Sequence, residues 1–124
     1  MTYQLKHEAD GFLLVHTGTV SIDEINEVNG LIHGHPAFDS HRYQIVDLLD
    51  ADFTEILTST AKQPGATDWA ASKTVSHVKV AILVEEPAAR QFCQEYIATA
   101  QQMGSDWEFA LFPCRDQARQ WIGP

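Results

Sequence analysis

Apolar positions in the first twenty residues gather into two short segments of strand character. Residues 3–8 (YQLKHE) and 12–19 (FLLVHTGT) are rich in aromatic and β-branched side chains, and Ala9-Asp10-Gly11 between them is a turn signal. An antiparallel hairpin is predicted. The period then lengthens to that of a helix: Ile22, Ile25, Val28, Leu31 and Ile32 recur at steps of three and four, behind a Ser21 that stands three residues before Glu24 in capping-box spacing. Gly34 and Pro36 end this helix near His33. Residues 43–49 (YQIVDLL) form a short apolar run suited to a strand inside the sheet, and residues 54–62 suit a short helix that Pro64-Gly65 breaks. Residues 66–76 fit either a second short helix or a lid. Residues 78–84 (VKVAILV) are apolar almost throughout, as a strand covered on both faces must be. Pro87 opens a helix whose Ala89, Phe92, Cys93, Tyr96, Ile97, Ala100 and Met103 share one side, and Gly104 stops it. A last strand over residues 107–112 and a helix over 115–122, with Ala118, Trp121 and Ile122 inward, complete the order.

That order, β-β-α-β-α-β-α-β-α, predicts an α/β fold with a mixed sheet whose first strands are an antiparallel hairpin and whose later strands run parallel through right-handed crossovers. With 124 residues the chain is expected to form a single domain, residues 1–124. Eight Lys and Arg against 17 Asp and Glu give a net charge of −9. The basic residues are scattered, which argues against a nucleic-acid partner and against docking to anionic membranes. The longest aliphatic run, residues 80–84, is far shorter than the roughly 20 apolar residues of a membrane span. The first residues, MTYQLKHEADGF, have no signal-peptide core, and a cytoplasmic location is expected. Cys93 and Cys114 lack metal-site or redox spacing and are read as reduced thiols.

The hairpin, the capped helix, the strand ending in Val46-Asp47-Leu48, the run Val80-Ala81-Ile82-Leu83 and the closing Phe112, Ala118 and Trp121 together resemble the SpoIIAA-like family of the STAS (anti-sigma-factor antagonist) superfamily. The resemblance spans nearly the whole chain. It implies a STAS-like mixed sheet and a non-enzymatic module. The regulatory members of that superfamily carry a phosphorylatable serine in an Asp-Ser-Ser-Gly turn after the central strand. The corresponding stretch here reads Leu49-Asp50-Ala51-Asp52-Phe53-Thr54, and no residue in it matches that serine, Thr54 included. By its architecture the family is similar to carriers of small hydrophobic ligands, which keeps a ligand-binding role in view.

Several groups carry possible chemistry. Asp50-x-Asp52-x-Thr54 after an apolar strand resembles the opening motif of haloacid-dehalogenase-like phosphohydrolases, in which the first Asp attacks phosphorus, the second acts as acid and base, and magnesium is shared. A solvated acidic turn that caps a helix explains the same residues. His33, His35 and His41 lie close together in sequence and are weak candidates for a metal site. His7, His16 and His77 are read as strand-edge or loop residues. Cys114 beside a histidine would make a nucleophile and base only if the fold joined them. Phe38, Phe53 and Trp69 fall in irregular segments off the core faces, where aromatics close a pocket, mark a partner surface or pack as a satellite cluster.

The function expected from this pattern is binding: an unknown protein partner or a small apolar ligand, held at the surface of residues 50–76 through Asp50, Asp52, Phe53, Thr54 and Trp69. No catalytic set and no cofactor are implied. A magnesium-dependent phosphohydrolase using Asp50 and Asp52, and a homodimer whose role is assembly, are the alternatives.

Overall fold

Strands β1 (Tyr3–His7) and β2 (Gly11–Thr19) form the hairpin in the computed structural model, which describes residues 2–123. They are antiparallel, with Leu5 opposite Leu14. Gly11 is required here, because a Cβ at this position would stand 2.4 Å from the Tyr43 carbonyl oxygen of the adjoining strand. Helix α1 (Ile22–His33) follows, then β3 (Tyr43–Asp52), α2 (Lys62–Ser72), β4 (Lys79–Leu83), α3 (Pro87–Gln102), β5 (Glu108–Phe112) and α4 (Arg115–Ile122). The five strands lie in sequence order in one sheet, and β2 to β5 are mutually parallel. The fold is the predicted α/β class, with the mixed sheet and element order that a STAS-like topology requires.

Sequential strand order has a direct consequence for layering. Crossovers of one hand that always step in the same direction place their helices on the same side of the sheet. Val28 and Ile32 of α1, Ala61 before α2, and Ala89, Phe92 and Cys93 of α3 accordingly pack with Phe12, Leu14, Val80 and Ile82 in the main core. The other side has only the short α4, where Ala118, Trp121 and Ile122 cover Leu13, Ile45, Ala81 and Leu83. Two arginines tie α4 across that side: Arg115 to Asp47 at 3.1 Å, and Arg119 to both oxygens of Glu8 at 2.8 Å.

The middle of the chain departs from expectation in three places. Residues 54–62 are not a helix but a turn followed by a single 3-10 turn, Thr58–Ala61. Pro64-Gly65 does not break a helix, because α2 begins at Lys62 and Pro64 falls in its first turn, where a missing N–H removes no intrahelical bond. This α2 takes up residues 66–72 of the 66–76 stretch left open between helix and lid. The central strand also runs on past Leu49 to Asp52. Between Val15 and Thr17 on β2 the partners on β3 step from Asp47 to Asp50, so β3 carries one extra residue there. Such a bulge reverses the side to which later residues point. Leu48 is buried, Leu49 and Asp50 are both exposed, and the inward set resumes with Ala51 and Phe53.

Candidate functional site

A cavity of about 60 Å³ lies between the sheet and the three helices that share its side. Its floor is the inward register of the strands: Leu14 and His16 on β2, Gln44, Val46 and Leu48 on β3, and Ile82 on β4. Phe92, Cys93 and Tyr96 of α3, Phe53 and Pro64 close it from the other side. Half-exposed Ile25 and Asn29 of α1 mark where it meets solvent. Beside this rim an exposed Asn26 to Gln63 hydrogen bond of 3.5 Å links α1 to α2. Most of the lining is aliphatic or aromatic, which is the usual composition of a small-molecule site, with a few polar groups to orient what enters.

Those polar groups are held from beneath. Ser21 accepts the Glu24 N–H at 3.2 Å as the capping spacing predicts, but the Glu24 carboxylate turns toward the sheet and lies 2.6 Å from His16 Nδ1. His16 is therefore a buried residue and not a strand-edge or loop one. Burial pushes its pKa down, and the Glu24 carboxylate opposes that shift without overcoming it. On the neighbouring strand, Gln44 Nε2 is 3.2 Å from His41 Nε2. His41 Nδ1 meets the Phe38 carbonyl oxygen at 2.5 Å, so Nδ1 donates, Nε2 accepts and Gln44 supplies the proton. Burial lowers the pKa of His41 as well, which keeps Nε2 free to accept. Tyr96 donates its hydroxyl proton to Asp68 of α2, and burial, reinforced by that carboxylate, pushes the phenol well above its ordinary pKa. Asp68 also stands 3.4 Å from His33 Nε2, so one buried carboxylate joins α1, α2 and α3. Cys93 in the wall is pushed up to about 12 by burial and is inert as a nucleophile.

Of the residues expected to bind a ligand, partner or metal, Phe53 alone lines this cavity. It is 2% exposed and packs edge-on to Phe92, with ring centroids 5.1 Å apart. Phe38 is also core, so neither aromatic lies off the core faces as expected. Trp69 is half-buried on α2 under the Lys73 ammonium, 4.7 Å above its ring. Asp50, Asp52 and Thr54 are exposed at the end of β3. Asp52 accepts the Thr54 N–H at 2.9 Å and its hydroxyl at 2.6 Å, and these bonds hold its carboxyl below the usual range. It caps this turn and not a helix.

The three histidines proposed as metal ligands go separate ways: His33 to Asp68, His35 to the Ala37 N–H and the ring of His7, and His41 to Phe38 and Gln44. Among the described residues no three His, Cys, Asp or Glu side chains come together in a geometry that holds a metal ion. A second, larger cleft of about 290 Å³ at the amino ends of β3 and β4 is polar. There Arg42 faces Asp10 at 3.9 Å and Lys79 donates to the Trp121 carbonyl at 3.0 Å. Among the described residues no helix is long and apolar enough to cross a membrane.

His16, Gln44 and Tyr96 were missed as site residues. The signal for the first two is in the sequence: His16 shares the parity of Phe12 and Leu14 in the hairpin, and Gln44 that of Val46 and Leu48 in the strand read as lying inside the sheet. A polar residue in that register must find a partner or face a cavity. No known protein-family model matches the chain, and no curated protein matches it.

Proposed function

We propose that this chain is a SpoIIAA-like binding module of the cytoplasm that takes up a small apolar ligand between its sheet and α1–α3. The observation that carries the reading is the cavity itself. An interior packed to ordinary density leaves few voids larger than a water molecule, and this one has room for about four to six water-sized groups. Its walls are apolar, so filling it with water leaves most of that water's hydrogen bonds unmade, while an apolar group of matching size gains contact with Leu14, Val46, Ile82 and Phe92. The inert thiol of Cys93 fits a site built for holding and not for nucleophilic attack. The free cysteines are in keeping with a reducing compartment.

The test is a titration of the methyl-labelled protein with 1-chloro-2-methylpropane, followed by methyl-resolved NMR. Saturable shifts concentrated at Leu14, Ile25, Val46, Leu48 and Ile82 are expected. Shifts that are absent there, or that scatter without saturation over exposed side chains such as Leu57, contradict the reading.

A further inference from the structure

His16 has one ring nitrogen bonded and one left over. The side chain is 3% exposed and lines the apolar cavity next to Leu14. A carboxylate oxygen accepts and does not donate, so the contact with Glu24 places the ring hydrogen on Nδ1. Nε2 of the neutral ring then carries a lone pair, and among the described residues nothing donates to it. Among the described residues, no side-chain nitrogen or oxygen that is sealed from open space lacks a hydrogen-bond partner. Nε2 therefore borders open space, and the open space beside His16 is the cavity. Of the other polar groups in the lining, the Tyr96 hydroxyl donates to Asp68, one Gln44 N–H goes to His41 with the amide oxygen left as a second acceptor, and the half-exposed Asn29 stands at the rim.

An acceptor fixed in an apolar wall selects its ligand by chemistry. A carboxylate or phosphate would set negative charge against a lone pair. An ammonium would have to be stripped of water in a site with no carboxylate facing it, which is far more costly than desolvating a hydroxyl. A water molecule would satisfy Nε2 but leave the aliphatic walls without contact, and a buried water needs two to four polar partners. We propose that the ligand of this cavity is a small apolar alcohol whose hydroxyl donates a hydrogen bond to His16 Nε2, with its carbon skeleton against Leu14, Val46, Ile82 and Phe92. The Glu24 carboxylate acts through His16, fixing the ring's tautomer and direction as such partners do for histidines at metal and catalytic sites. This inference deepens the apolar-ligand reading and rests on it.

Two probes with one carbon skeleton separate the inference from the reading beneath it. 2-Methyl-1-propanol and 1-chloro-2-methylpropane are titrated into the full chain, carrying ¹⁵N-labelled histidine, and followed by NMR. The alcohol is expected to bind about tenfold more tightly, the value of one well-formed buried hydrogen bond, and to move the His16 Nε2 resonance, which the chloride leaves in place. In His16→Phe the two probes should bind equally. The Nε2 resonance of the unaltered protein gives the answer even where that variant fails to fold. Equal affinities with an unmoved Nε2 resonance overturn the alcohol assignment and leave the apolar cavity standing. Failure of both probes to bind overturns the two together.

Discussion

Glu8 at the end of the hairpin and Arg119 on the last helix are far apart in sequence and meet through two 2.8 Å bonds, with the Tyr43 hydroxyl as a third partner at 2.5 Å. The Arg119 hydrogen bonds, helped by Tyr43 and opposed by burial, lower the Glu8 carboxyl from 4.5 to about 2. A depressed folded-state pKa contributes stability that is complete above the unfolded value and is lost as the carboxyl protonates in the fold. The loss therefore falls between pH 4.5 and about 2. Because Arg119 is 44% exposed, solvent screening reduces the effect, and we expect about 1–2 kcal/mol. Urea unfolding over that range should show the unaltered protein losing this much more stability than Glu8→Gln, while parallel profiles would remove the pair from the account. Nothing in the sequence pairs these two residues, since contacts across the whole chain follow only from the strand order. His16 differs in that it shares the parity of Phe12 and Leu14, but the unbroken apolar run of residues 12–15 hides which parity faces the helices, and its partner, a glutamate turned away from its own helix cap, is not legible either.

Helix α2 is the element the sequence describes least well, and its composition explains why. Lys62-Gln63-Pro64-Gly65 places the two strongest helix breakers at the start, and the segment has no apolar stripe to reveal its period. What holds it is tertiary. A Cβ on Gly65 would stand 2.7 Å from the Tyr96 carbonyl and 2.8 Å from Thr99 Cβ, so glycine allows α2 to lie against α3, where Asp68 meets Tyr96. Gly65→Ala is therefore expected to destabilise the protein by about 1–3 kcal/mol. Gly30→Ala, in α1 with open space around it, should stabilise by up to about 1 kcal/mol. Opposite signs in denaturant unfolding would support this packing, and a stabilising Gly65→Ala would refute it. The helices with clear stripes, α1 and α3, and the apolar strand β4 were by contrast legible to within a few residues, because each helix buries one stripe against the sheet and β4 is buried on both of its faces.

At the scale of the molecule, sequential strand order puts three helices on one side of the sheet and one on the other, and the cavity lies on the three-helix side. α2 is anchored to α3 through Gly65 and Asp68 and to α1 through the Asp68 contact with His33, and an exposed 3.5 Å bond between Asn26 and Gln63 links α1 and α2 at the rim. The order of strands across the sheet came from the structure, whereas the order of elements and the fold class were readable from the sequence. The cavity was not, because a void is a shortfall of volume among side chains that each look like ordinary core. The bulge in β3 compounds this, since one extra residue turns Phe53 into the core and leaves Asp50 and Asp52 facing solvent, against the even alternation the sequence suggests. The most direct test of the apolar cavity is a crystal structure of the protein under xenon pressure, because xenon binds by dispersion alone and reports where unfilled apolar space lies. The account predicts a xenon atom between Leu14, Val46, Ile82 and Phe92, in contact with the His16 ring. A structure in which that space is filled by the protein's own side chains, with xenon elsewhere or absent, would contradict it.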